Sequence, residues 1–240
     1  MAWADDLVAE READTAFREA LDGLLPDDIV HASGMIEQVD GPLLGSEHRT
    51  IDGAVRKRRV EFRAGRVLAR RALAGFGLGD RPIPAAPDRR PLWPDGIVGS
   101  IAHDDELAVA VVGSDRRWRG LGIDIEPATP LDADLHSLVL QPDERAVSRA
   151  PVATPKGTID RAKAAFCAKE ALFKAVYPIT STWFDLLDAR VEFPDDASRF
   201  EVSIIKDAAR LPDGFTMEGR LALAASRVIA FVGVQEWTLG

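Results

Sequence analysis

Two long helical patterns, each followed by a run of short apolar strands, most limit the folds open to this chain. Residues 54–74 place Val60, Val67, Leu68 and Leu73 at helical spacing, and Gly75, Gly77 and Gly79 stop the helix. A Pro-rich, Gly-punctuated loop over 82–100 runs into strand-like segments at 97–103, 107–113 and 120–127. The second helix is expected over 160–176. Strands of a second sheet are expected at 189–193, 199–206, 220–226 and 227–237. A short helix ending at Pro26 precedes all of this, and 128–155 reads as helix and loop. The pattern predicts an α/β (α+β) chain of two similar halves, 1–125 and 126–240, in one compact unit. A ligand site is expected in the cleft between them.

Composition supports a folded chain. Its 240 residues are 46% hydrophobic, enough for one large core or two smaller ones. No apolar run nears the roughly 20 residues of a membrane span. The acidic start MAWADDLVAEREAD has no signal-peptide pattern, and Cys167 is the only cysteine, so a cytoplasmic protein without a disulfide framework is expected. The net charge of -9 argues against nucleic acid as the main partner. Yet Arg56, Lys57, Arg58, Arg59, Arg63, Arg66, Arg70 and Arg71 crowd one segment. Arg59, Arg63, Arg66 and Arg70 follow spacings of three and four and share a helix face. That face is either solvated or built for an anion.

Three stretches carry chemistry. In GIDIE, Asp124 and Glu126 project from one side of a strand while Ile123 and Ile125 point into a core. Paired carboxylates make half a site for a hard divalent ion, or a polar strand face. In KEALFK, Glu170 and Lys174 stand four apart on a helix, where an ordinary ion pair is the common outcome. Phe166, Phe173 and Tyr177 lie on the same face and would set the charges at an apolar edge. Glu170 could otherwise be a third metal carboxylate, with Lys169 and Lys174 meeting phosphate. In GSIAH, Ser100 and His103 end a strand, and the following Asp104, Asp105 and Glu106 read as solvated. There is no G-x-S-x-G elbow, Walker A loop or H-E-x-x-H pair.

In this order the signals resemble the 4'-phosphopantetheinyl transferases, in the branch of enterobactin synthase component D. The resemblance rests on RRVEFRAGRVLAR at 58–70, PLWPDGIVGSIAH at 91–103, GIDIE at 122–126 and KEALFK at 169–174. It spans about residues 56–183. It implies an intramolecular pseudo-dimer acting as a monomer. The implied activity moves the phosphopantetheine arm of coenzyme A to a serine of an apo acyl or peptidyl carrier protein, releasing adenosine 3',5'-bisphosphate.

The resemblance also implies roles. Asp124, Glu126 and Glu170 would hold Mg²⁺, with Mn²⁺ equally suited to oxygen ligands. Lys174 would stabilise the phosphates and Lys169 would contact coenzyme A. Glu170 would also be the candidate base. Arg59, Arg66 and His103 would grip coenzyme A phosphate, with Ser100 a weaker contact. Trp183 would line the pantetheine tunnel, where a core tryptophan is the plainer reading. Ala102 stands where the family often has Ser or Thr. The loop before Trp93 lacks the family's Gly and Lys, leaving Arg89 or Arg90 as substitutes. Siderophore, nonribosomal peptide, polyketide and fatty-acid synthases all present suitable carriers. A metal-dependent phosphohydrolase and a non-enzymatic arginine-helix binding module are the competing readings.

Overall fold

A computed structural model describes residues 2–194, 198–205 and 215–235, with side chains from residue 11 onward. Helices are α1 (Ala2–Leu24), α2 (Glu47–Thr50), α3 (Arg56–Leu73), α4 (His136–Val139), α5 (Pro142–Val147) and α6 (Arg161–Thr180). Strands are β1 (Val30–Met35), β2 (Ile97–His103), β3 (Leu107–Ser114), β4 (Gly120–Pro127), β5 (Val152–Thr154) and β6 (Gly157–Ile159). The rest are β7 (Ala189–Glu192), β8 (Arg199–Ile204), β9 (Thr216–Ala224) and β10 (Arg227–Val234).

The strands form an antiparallel sheet β1-β3-β2, a five-stranded antiparallel sheet β4-β10-β9-β8-β7, and the hairpin β5-β6. Side-chain alternation assigns each face. On β3, Ala108, Ala110 and Val112 pack under α3 with Val67, Leu68 and Leu73. Leu107, Val109 and Val111 face a central core, joined by Ile123 and Ile125 of β4, Ile229 and Phe231 of β10, and Phe17 and Leu21 of α1. On β10, Val228, Ala230 and Val232 face the other way, into the core beneath α6. Each sheet therefore has one long helix on its outer face and shares the central core on its inner one.

The expected α3, β2, β3, β4 and β7–β10 are all present, and the mixed α/β class holds. The division drawn at residue 125 falls inside β4, which pairs with β10 along its whole length, from Gly120↔Val234 to Pro127↔Arg227. β1 and the β5-β6 hairpin were not legible: β1 is a half-buried VHASGM segment without clean alternation, and the hairpin strands are three residues each. α6 runs past Val176 to Thr180 with Pro178 inside its last turn, where the proline has no N–H to give the Lys174 carbonyl. Asp160 starts that helix by accepting the Lys163 N–H at 2.9 Å. The ends expected at Lys206, Glu236 and Trp237 lie outside the described residues. Among the described residues no helix is long and apolar enough to cross a membrane.

The motif WPDGIVGS has a packing cause. A Cβ on Gly99 would lie 2.6 Å from the Val111 carbonyl and 2.7 Å from the Trp93 ring, so only glycine lets that ring close over β2. One residue on, the Ser100 hydroxyl accepts the Ile123 N–H at 3.2 Å. It thereby joins β2 and β4, the facing edges of the two sheets.

Candidate active site

The site is built on the contact between β4 and α6. A Cβ on Gly122 would stand 1.8 Å from the Ala171 carbonyl, and one on Gly120 2.1 Å from the Ala175 carbonyl. Four helical residues rise about 6 Å and two strand residues about 6.6 Å, so the elements stay in step when run antiparallel. Ala175 and Ala171 meet Gly120 and Gly122, Cys167 lies beside Asp124, and Lys163 meets Glu126. The two glycines set the distance at which α6 side chains face the β4 carboxylates.

Asp124 is buried. Its Oδ1 accepts from Lys174 Nζ at 2.6 Å, while the buried Oδ2 has no hydrogen-bond partner among the described residues. Glu126 Oε2 accepts from Lys163 Nζ at 3.1 Å. Glu170 is half-buried and makes no hydrogen bond among the described residues. Burial, reinforced by the charge of Asp124, raises the carboxyl pKa of both Glu126 and Glu170 above its ordinary value. For Lys174, burial alone would lower the pKa, but the pull of Asp124 prevails and raises it.

The expected Glu170–Lys174 ion pair is therefore not made. Long helical side chains lean toward the helix N-terminus, and here Lys174 reaches across to the strand instead. Among the described residues no three His, Cys, Asp or Glu side chains are gathered closely enough to hold a metal ion. Lysines stand on two of the three carboxylates in this arrangement. The donor set still suits a hard cation: three mutually repelling carboxylates, one with a buried oxygen that makes no hydrogen bond of normal geometry among the described residues, beside the Cys167 thiol.

Lys169 requires a correction. It follows a different face of α6, is 0% exposed, and pairs with Glu144 at 2.7 Å while donating to the Val139 carbonyl at 2.8 Å. Glu144 also accepts the Gln141 and Val191 N–H groups. Lys169 thus ties α6 to α4, α5 and β7, with its ammonium enclosed and already partnered rather than open to a ligand. Adjacent helix positions are turned by about 100°, so Glu170 faces the seam while Lys169 faces the core.

The arginine face also divides. Arg59 is exposed and Arg63 half-buried. Arg66 is 5% exposed, donates from Nε to the Ile83 carbonyl at 2.7 Å, and stacks 4.2 Å from the Phe62 ring centre. Burial pushes its pKa down to about 10. Arg70 is an internal partner of Glu47 at 2.7 Å and of the Pro42 carbonyl. Glu47 was invisible in the sequence because it lies 23 residues from Arg70, on α2.

His103 ends β2, half-buried, with Nδ1 3.2 Å from the Asp104 carbonyl. The solvated reading of 104–106 holds for Asp105 and Glu106, whose side chains are 84% and 68% exposed while they pair with Lys57 and Arg227; it fails for Asp104, which is 7% exposed and held by Arg227. Arg89 is exposed with a left-handed φ of 73°. Its loop reaches α6, where Tyr177 donates to Asp88 at 3.1 Å and Arg90 to the Pro178 carbonyl at 3.3 Å. Trp183 is no core residue. It is 66% exposed and meets Phe173 edge-on, with centroids 5.0 Å apart. Two surface grooves of about 1050 and 900 Å³ lie elsewhere, and neither is lined by Asp124, Glu126, Glu170 or Lys174.

Comparison with known proteins matches residues 46–113 to the 4'-phosphopantetheinyl transferase N-terminal domain and 120–231 to the 4'-phosphopantetheinyl transferase superfamily. The chain is 35% identical to 4'-phosphopantetheinyl transferase Svp of Streptomyces mobaraensis, over 88% of this chain and 87% of that one. It is 35% identical to 4'-phosphopantetheinyl transferase PptT of Mycobacterium tuberculosis, over 79% and 85% respectively. Enterobactin synthase component D of Salmonella typhimurium is 37% identical over 53% of this chain and 52% of its own.

Proposed function

The chain belongs to the 4'-phosphopantetheinyl transferase superfamily, and from that premise we propose the reaction it performs and the residues that perform it. The serine hydroxyl of an apo carrier protein attacks the β-phosphorus of coenzyme A. The bond from that phosphorus to the bridging oxygen breaks, phosphopantetheine passes to the serine, and adenosine 3',5'-bisphosphate leaves. The observation that carries this reading is the gathering of Asp124, Glu126, Glu170 and Lys174 where α6 crosses β4.

Asp124 and Glu126, joined by Glu170, would hold Mg²⁺, which supplies charge neutralisation at the diphosphate when bound. Lys174 moves from Asp124 to a phosphate oxygen, an exchange of one anionic partner for another. Glu170, which carries no lysine among the described residues, is the carboxylate that accepts the serine proton, a role that competes with its place on the cation. Arg59 meets the 3'-phosphate from the surface of α3, Arg66 adds its charge from beneath, and His103 approaches from the end of β2. Ser100 serves the seam between sheets rather than the ligand. Trp183, exposed, and Phe173, half-buried, offer an aromatic wall for the pantetheine arm, and Arg89 would contact the adenine or a phosphate. All of these lie in one chain, so the reading needs no second copy.

The test is intact-mass measurement of apo carriers from siderophore, nonribosomal peptide, polyketide and fatty-acid synthases after incubation with coenzyme A and Mg²⁺. A phosphopantetheine-sized gain that disappears with EDTA is expected on at least one carrier. Unmodified carriers throughout, or coenzyme A consumed without any carrier, would refute the transferase assignment.

A further inference from the structure

We infer that Arg227 is a positioning residue that fixes His103 relative to the strand pair bearing Glu126. This rests on the placement of His103 against coenzyme A proposed above. Arg227 opens β10 and lies opposite Pro127, one register step from the Val228↔Glu126 pair. Its side chain is 11% exposed and that of Asp104 7%. Nε donates to Asp104 Oδ2 at 2.6 Å and Nη2 to Glu106 Oε2 at 2.7 Å. Nη1 donates to the Ala225 carbonyl at 3.0 Å, inside a turn where Ala225 and Ser226 both adopt left-handed backbone, with φ of 48° and 58°.

Asp104 is equally committed. Its other carboxylate oxygen accepts the Glu106 and Leu107 N–H groups at 2.8 and 2.7 Å, closing the turn between β2 and β3. His103 is its chain neighbour, and the His103 ring lies against the Asp104 carbonyl. One guanidinium therefore joins the turn that carries His103 to the end of the β4–β10 pair. Charge-assisted bonds of this kind are directional, so they set orientation as well as attraction. The two Arg227 contacts are unequal. Glu106 is 68% exposed and Asp104 is enclosed, so Asp104 is the partner that transmits position.

The experiment follows the four histidine ring signals in ¹H–¹³C spectra of the full chain without metal or coenzyme A. His103 is assigned by its loss in His103→Ala. Arg227→Met should displace the His103 signal while those of His31, His48 and His136 stay in place. Arg227→Lys should return it part of the way, and Glu106→Gln should leave it unmoved. In transfer assays Arg227→Met should raise KM for coenzyme A about tenfold and lower kcat by less than about threefold. Should Arg227→Met fail to fold, Asp104→Asn carries the same expectation. A folded variant whose His103 signal superposes on the parent's, or an equal displacement by Glu106→Gln, overturns the proposal. If the parent protein itself binds no coenzyme A, the reading of the site fails, and the His103 signal still decides the role of Arg227.

Discussion

Lys174 Nζ sits 2.6 Å from Asp124 Oδ1, across 50 residues of sequence, rather than on Glu170 one helical turn away. The lysine is the counter-ion of a buried carboxylate whose second oxygen has no hydrogen-bond partner among the described residues. A divalent cation and Lys174 thus compete for the same carboxylate, and a phosphate would give the lysine somewhere to go.

Asp124→Asn should cut transfer by about 10²–10³-fold, the scale for loss of one preorganised electrostatic group. Far-ultraviolet circular dichroism should be unchanged. Intact-mass assays of a carrier measure the loss, and near-parental turnover would remove Asp124 from the metal set.

Gly122→Ala should destabilise the fold by about 3 kcal/mol or more, at the upper end of overpacking costs. The added Cβ would stand 1.8 Å from a backbone carbonyl of α6, which cannot rotate away. Urea unfolding measures the change. Transfer should fall further than the loss of folded protein explains, because α6 carries Glu170 and Lys174 away from β4.

Lys169→Met should cost about 3–5 kcal/mol, since it leaves the Glu144 carboxylate enclosed without its cation. The folded fraction should keep the parental KM for coenzyme A. A raised KM in a variant of parental stability would return Lys169 to the ligand.

In metal-free protein, burial and the charge of Asp124 hold Glu126 and Glu170 above the usual 4.5. A carboxyl raised on folding keeps its proton better in the folded state. Its stabilising contribution is complete below about pH 4.5 and is lost as pH rises through the raised value. In EDTA, the melting-temperature difference between parent and the Glu126→Gln, Glu170→Gln double variant should therefore shrink or change sign toward neutrality. With saturating Mg²⁺ the trend should reverse, because only ionised carboxylates bind the cation. A difference that grows with pH in EDTA would mean that Lys163 and Lys174 outweigh burial.

Much of the fold is written in local pattern. Alternation along β3 and β4, the arginine-rich α3 and the glycine stops after it are set by backbone periodicity and steric rules that act within a few residues. So is the projection of Asp124 and Glu126 from one side of β4, with Ile123 and Ile125 opposite. The sequence by itself determined these elements, their order and the family they match.

The partners of the charges were decided only by tertiary structure. Lys169 and Glu170 are neighbours in sequence, yet one is sealed against Glu144 and the other faces the seam. Asp104 read as solvated until Arg227, 123 residues later, closed on it. A long cationic side chain reaches an i,i+4 neighbour and a distant strand about equally well, so spacing alone cannot choose between them. The choice is made by desolvation, and desolvation exists only once α6 has closed onto Gly120 and Gly122.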